Sequence, residues 1–187
     1  MADQFNILDT PEFVSLREKA YRPTAAIAET CSRANNFVTN LGATSGRIHL
    51  SPIYLPAGKT ISSITFVSGA TALATGTNQW FGLFDSSRNK LALTGDDTST
   101  AWAASTAKTL NLSAAYTTTS SGLYYVGVMV AATTTPSYLG LNTQVAPVGL
   151  LTPILCGQAD SGLTNPASCP ATLAAPIGLS VFYAYVS

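Results

Sequence analysis

The chain has 187 residues, a formal net charge of zero and only 10% charged side chains. This length suffices for one domain with a sizeable hydrophobic core and an appendage. A neutral chain offers no electrostatic basis for binding nucleic acid or an anionic membrane surface, so we expect neither partner. The N-terminus shows no basic region followed by an apolar one, and no apolar stretch is long enough to cross a bilayer, so we expect no signal peptide and no membrane span.

The charges are unevenly distributed along the chain. Nine of the eighteen charged residues lie among the first 33 positions, and after Lys108 the only charged residue is Asp160. A segment with so little charge must expose hydroxyl and amide groups to solvent, or bury much of its surface against other subunits. We therefore expect a homo-oligomer, and specifically a homotrimer.

Residues 1–46 are predicted to form a docking arm. A capping residue at Asp9 or Thr10, followed by Pro11, is typical of a helix start. The helix has about three turns and is too short to be stable alone in water, so its apolar face needs a partner. The candidate docking residues are Phe5, Ile7, Leu8, Phe13 and Leu16.

The second half of the arm has a weaker pattern. Residues 24–40 combine helix-compatible alanines with turn-favouring asparagines, so we predict an extended or partly helical segment. Residues 42–46 are small and form a predicted hinge that lets the arm reach away from its own domain.

From Arg47 onward the pattern is all β. Apolar and polar residues alternate in short runs that are bounded by turn residues. The polar turn at residues 85–90 predicts a hairpin, and the uncharged strand at residues 121–130 is expected to be central and covered on both faces. The predicted strands cover residues 47–55, 60–68, 79–84, 91–94, 108–112, 121–130, 138–141, 148–155 and 177–186, with long loops at 95–106 and 156–175.

About eight short strands with this spacing predict an antiparallel two-sheet sandwich of the jelly-roll type. We assign it to residues 47–187 and expect it to fold without the arm. The alternation over residues 177–186 indicates a last strand that pairs deep in a sheet and ties down the C-terminus.

The chain has no recognisable catalytic or metal-binding constellation. His49 is the only histidine and is interpreted as a structural strand residue, because a histidine-based metal site or triad lacks its other members. Asp85, Asp96 and Asp97 suit turns and solvated loops better than a calcium site. We therefore expect no enzyme activity, no metal and no cofactor.

The three cysteines, Cys31, Cys156 and Cys169, match no zinc spacing. We favour free thiols of a protein assembled in the cytosol, with a Cys156–Cys169 disulfide as the alternative. Among the aromatic residues, Trp80 and Tyr124 lie in predicted strands and are expected in the core. Trp102 lies in a predicted loop and is the candidate for a possible glycan contact, although we favour packing over the end of the sandwich for it.

Four segments resemble a known family. They read Leu-Pro-Ala-Gly-Lys-Thr-Ile-Ser-Ser-Ile-Thr-Phe-Val-Ser-Gly at 55–69, Trp-Phe-Gly-Leu-Phe-Asp-Ser-Ser-Arg-Asn-Lys-Leu at 80–91, Thr-Ala-Trp and Lys-Thr-Leu within 100–110, and Ser-Gly-Leu-Tyr-Tyr-Val-Gly-Val at 121–128. Together they resemble a β-sandwich domain of virion proteins from tailed phages of actinobacteria. The resemblance implies a surface component, namely a head decoration, a head fibre or a minor tail protein, with a layout similar to carbohydrate-binding modules.

Residues and resemblance together predict a structural protein of a tailed bacteriophage. The expected role is capsid decoration: the arm binds the major capsid protein, and the sandwich is displayed on the virion surface after assembly in the host cytoplasm. The alternative is a minor tail or fibre protein that contacts tail proteins and binds host-surface carbohydrate. A free carbohydrate-binding module is disfavoured by the missing signal peptide.

Overall fold

The computed structural model describes residues 22–33, 35, 37–142, 155–178 and 180–187. Within these ranges the chain forms β-strands and one short 3-10 helix, Pro166–Ser168. The strands are β1 (Ala28–Glu29), β2 (Val38–Leu41), β3 (Ile48–Leu55), β4 (Thr60–Val67), β5 (Ala74–Phe84), β6 (Lys90–Leu93), β7 (Ala107–Thr117), β8 (Gly122–Thr134), β9 (Tyr138–Asn142), β10 (Gly157–Gln158), β11 (Ser180–Phe182) and β12 (Ala184–Val186).

Most strands belong to two antiparallel sheets. One has the order β1-β12-β4-β7 and the other the order β10-β3-β8-β5-β6. Apolar side chains from both sheets pack into one cluster, so the sheets lie face to face around a shared core. The prediction of an all-β fold built from antiparallel sheets is confirmed.

The strand order follows a regular scheme. When β1, β3, β4, β5, β6, β7, β8 and β12 are counted from first to eighth, one sheet reads first–eighth–third–sixth. The other sheet reads second–seventh–fourth–fifth, with β10 added at its edge. Neighbours in each sheet are therefore often far apart in sequence, and the early strand β1 pairs with the last strand, β12.

A bulge in β4 explains how its apolar residues reach one core. Ile61 and Ile64 are three positions apart, so strict alternation would send them to opposite faces of the sheet. The amides of Ser62 and Ser63 both donate to the Ser187 carbonyl, at 2.7 and 2.9 Å, and two residues opposite one are the pattern of a β-bulge. Ile61, Ile64 and Phe66 are consequently all fully buried in the core between the sheets.

Strand β8 is the centre of the five-stranded sheet. It pairs with β3 on one side and β5 on the other. Val126 and Val128 face the core between the sheets, while Tyr125 and Met129 belong to a second apolar cluster on the outer face. Both faces are covered, as predicted for a strand without charge.

The outer face of the five-stranded sheet is covered by residues 155–178. Ala159, Leu163, Cys169 and Leu173 pack there against side chains of β3, β5 and β8. The indole of Trp80 lies under this cover and donates a hydrogen bond to the Thr164 carbonyl at 2.7 Å. The segment was predicted as a loop, and the structure shows that it closes a second hydrophobic core.

Two strands lie inside the segment that sequence analysis assigned to the arm. Ala28 of β1 pairs with Val186, and Leu41 of β2 pairs with Tyr138. Ala28 and Leu41 are each only 5% exposed and belong to the core between the sheets. Residues 28–41 therefore contribute to the packed fold, and the hinge at 42–46 connects β2 to β3 within it.

The C-terminal strand is divided between two sheets. β11 pairs with β9 in a small third sheet of order β11-β9-β2, whereas β12 lies between β1 and β4. The expected deep pairing of the C-terminal residues is confirmed, because Phe182, Ala184 and Val186 are fully buried. The expected single strand over 177–186 is wrong, since Ile177 is 75% exposed and the chain changes sheets at Tyr183.

Candidate functional site

A column of stacked rings crosses the core next to His49. The imidazole of His49 lies parallel to the Phe182 ring at 3.5 Å between centroids, and Phe182 stacks on Tyr138 at 4.3 Å. His49 Nε2 donates to the Ser180 carbonyl at 2.8 Å, so the neutral ring leaves Nδ1 without its proton. His49 Nδ1 and the Tyr138 hydroxyl are buried without a hydrogen-bond partner among the described residues.

The surroundings of this column suppress its titration. Burial lowers the pKa of His49 to about 4, against an opposing effect of the hydrogen bond to Ser180. Burial likewise raises the pKa of Tyr138 far above its usual range. Both groups are neutral at physiological pH, and the interpretation of His49 as a structural strand residue agrees with its contacts.

Trp102, the candidate for a glycan contact, is not accessible to a ligand. Its side chain is 2% exposed and lies edge-on to Tyr138 at 5.6 Å between ring centroids. Phe81 is 5.8 Å away, and Lys108 Nζ lies 5.5 Å from the indole centroid. No ring face remains on which a sugar can stack, so the structure supports the alternative, packing over the end of the sandwich.

A buried polar network holds the Trp102 loop in place. Lys108 is 8% exposed and forms an ion pair with Asp97. The same ammonium donates to Gln79 Oε1 at 3.0 Å and to the Thr100 carbonyl at 3.3 Å. Since a buried ammonium is costly unless its donors are satisfied, the network fixes the loop against β5 and β7. Sequence analysis missed this role of Lys108, because no local pattern distinguishes a buried lysine from an exposed one in a strand.

The remaining aspartates accept hydrogen bonds from backbone amides. Asp85 accepts the amide protons of Ser87 and Asn89 at 2.8 Å each, which closes the β5–β6 hairpin. Asp96 accepts from the Gln79 amide at 2.9 Å and Asp160 from the Ala174 amide at 2.8 Å. These are turn and loop roles, as predicted for the first two. The described residues contain no group of three His, Cys, Asp or Glu side chains placed to share a metal ion.

The three cysteines are free thiols. Burial raises the pKa of Cys31 to about 11 and that of Cys169 to about 11, and it also raises the pKa of Cys156. Protonated thiols are poor nucleophiles, so these side chains act as small apolar groups. Cys169 does so in the outer cluster.

All five candidate docking residues, Phe5, Ile7, Leu8, Phe13 and Leu16, lie outside the described residues. The described chain begins at Arg22, just before the edge strand β1. An open cavity of about 770 Å³ lies at this point, between residues 22–27 and the β3–β4 turn. It is lined by two cations, Arg22 and Lys59. The Arg22 guanidinium donates to the Ile27 carbonyl at 2.6 Å, and its buried Nε has no partner among the described residues.

A second, smaller cavity lies at the tip of the β5–β6 hairpin. Its volume is about 340 Å³, and its lining includes Asp85, Tyr116 and the segment that leads into β8. Tyr116 is half-buried, and the hydroxyl of Tyr124 donates to the Ser120 carbonyl at 2.9 Å. Several hydroxyl-bearing residues of this cleft are exposed, namely Ser86, Thr119, Ser120 and Ser121, unlike the buried network around Lys108. Sequence analysis did not identify the cleft, because its two walls are at least 25 residues apart along the chain.

No helix in the described ranges has the length and hydropathy of a membrane span. Comparison of the chain with protein-family models, with curated proteins and with solved structures found no match.

Proposed function

We propose that the chain is a structural protein of a tailed-phage virion, a capsid decoration protein that docks through its N-terminal residues and displays the sandwich on the virion surface. Its partners are the major capsid protein and further copies of itself, arranged as a homotrimer, and it assembles in the host cytoplasm.

The observation that carries this proposal is that the ionisable side chains of the sandwich have structural roles. Asp85, Asp96 and Asp160 accept backbone amide protons, and Asp97 neutralises Lys108. His49, the single histidine, stacks in the core. Ionisable groups committed to loops and core packing favour an architectural role over catalysis.

The strand order supports the same role by analogy. We infer a jelly roll, because that fold consists of two sheets of four strands in the order observed for the eight strands counted above. Jelly rolls occur in viral capsid proteins and in lectins. A fold alone does not establish a function, so this argument adds to the use of the side chains and does not replace it.

The docking segment that we propose is shorter than residues 1–46. Residues 28–41 contain two strands of the sheets, so we assign docking to the part of the chain before β1. That part includes all five candidate docking residues. It joins the fold at β1, an edge strand, next to the cavity lined by Arg22 and Lys59. An entry at a sheet edge lets the arm contact the shell while the sandwich remains intact.

The test is incorporation into particles that lack the protein. Phe13→Asp combined with Leu16→Asp is expected to abolish binding, because a charge on the apolar helix face opposes its burial. The matched control is Thr10→Asp combined with Ser15→Asp, which adds the same charge and keeps the apolar residues. Bound copies are counted after sedimentation.

The outcomes separate the candidate functions. Hundreds of copies of the wild-type protein per particle support the head, whereas a handful support the alternative, a minor tail or fibre protein. Wild-type occupancy by the Phe13/Leu16 variant would refute the docking role of the arm.

A further inference from the structure

The cleft at the end of the sandwich has the chemistry of a ligand site. It lies between the β5–β6 hairpin tip, which contributes Asp85 and Ser86, and the β7–β8 connection. Its volume of about 340 Å³ falls within the range of small-molecule sites, roughly 300–1,000 Å³. The space accommodates one or two sugar rings.

The lining selects a neutral, hydroxyl-rich ligand. Asp85 supplies a carboxylate, and none of the described residues that line the cleft is basic. An anionic ligand would meet uncompensated charge there. Hydroxyl groups both donate and accept hydrogen bonds, so they complement a ligand with many hydroxyl groups. The hydroxyl-bearing residues are Ser86, Tyr116, Thr119, Ser120, Ser121 and Tyr124.

The walls of the cleft are fixed before any ligand arrives. Asp85 is held by the amides of Ser87 and Asn89. Ser121 Oγ accepts the Ala57 amide at 2.8 Å, and the hydroxyl of Tyr124 is held by the Ser120 carbonyl. A site whose groups are already ordered loses less entropy on binding.

We propose that this cleft binds a neutral carbohydrate, held by Asp85 and the surrounding hydroxyl groups. The site is distinct from the buried Trp102. It does not depend on the particle position proposed above, since a head or a tail protein can carry it.

The test is NMR titration of the full chain with neutral sugars: glucose, galactose, mannose, rhamnose, arabinose, N-acetylglucosamine, maltose and lactose. At least one is expected to shift the amides of residues 85–86 and 119–124 in a saturable way, with a dissociation constant on the order of millimolar. N-acetylneuraminic acid, an anionic sugar, is expected to bind more weakly. Absence of any saturable shift there overturns the proposal, and so does tighter binding of the anionic sugar.

Variants locate the site. A Cβ added at Gly122 meets no atom within 4 Å, so Gly122→Trp is tolerated by the fold and places a large side chain at the cleft. It is expected to abolish the shifts. Gly42→Trp, at another glycine with open space around its Cβ, is the matched control and should leave them unchanged.

A milder change tests the carboxylate. Asp85→Asn is expected to weaken every neutral sugar about tenfold, because a charged acceptor is lost. Undiminished binding by Gly122→Trp would show that sugars bind elsewhere and would overturn the assignment.

Discussion

Acidification is expected to destabilise the sandwich through His49. In the folded protein the pKa of this imidazole is lowered to about 4 by burial, from a usual value of 6.5. Between these two values the unfolded chain binds a proton that the folded protein does not bind. Since the unfolded state holds more protons, stability rises with pH in this window and falls as the pH is lowered.

The magnitude follows from the pKa difference. One pKa unit corresponds to about 1.4 kcal/mol, so the shift costs about 3 kcal/mol of stability between neutral pH and pH 4. The loss is complete once the pH falls below the folded pKa. The contacts explain the size: Nε2 is committed to Ser180, Phe182 covers one ring face, and a proton on Nδ1 has no acceptor among the described residues.

The assay compares urea unfolding of the wild type and His49→Gln from about pH 7.5 to pH 4. Glutamine retains a donor for the Ser180 carbonyl and does not titrate. The variant is expected to be less stable than the wild type at neutral pH because ring stacking is lost, and this difference should shrink by about 3 kcal/mol on acidification. Any other titration in this pH range is common to both proteins and cancels in the difference. Parallel loss of stability in the two proteins would refute the reasoning.

Trp102→Ala is expected to cost about as much stability as Trp80→Ala, about 3–5 kcal/mol each in chemical unfolding, because both indoles are buried; a small loss for Trp102 alone would contradict its place in the core. A chain that starts at Arg22 is expected to keep the cooperative melt of the full chain by circular dichroism. A chain that starts at Thr44 should lose it, because β1 and β2 are removed, and equal melts would contradict that reason. Lys108→Met is expected to cost about 2–3 kcal/mol, since it leaves the Asp97 carboxylate and the buried Gln79 Oε1 without this donor; unfolding by urea measures this, and a neutral result would show that water replaces the ammonium.

The docking of the arm, the trimer and the place in the virion stay predictions that rest on sequence. Phe13 and Leu16 are recognisable because apolar residues at helical spacing need a partner. That argument predicts a packing partner for the helix and says nothing about its identity. The same holds for the charge-poor segment after Lys108, whose composition favours association without choosing a symmetry.

The sequence by itself determined most of the long strands and the β5–β6 hairpin. Alternation reports which residues share a face, since successive side chains of a strand point to opposite sides. It therefore identified most of the long strands, and the absence of charge from residues 121–130 was enough to place β8 in the centre. The hairpin was equally legible, because Asp85 and Asn89 have side chains that suit a tight turn.

Only the tertiary structure decided which distant segments meet. Strands β1 and β2 are short, and each pairs with a residue more than 90 positions away along the chain. The partner is Val186 for β1 and Tyr138 for β2. Trp102 is buried because the ion pair between Lys108 and Asp97 holds its loop against the sheets. The sugar-binding cleft proposed here likewise needs residues from two connections. Local patterns report the conformation of one segment, whereas burial and clefts arise from long-range pairing, for which a single sequence has no local signal.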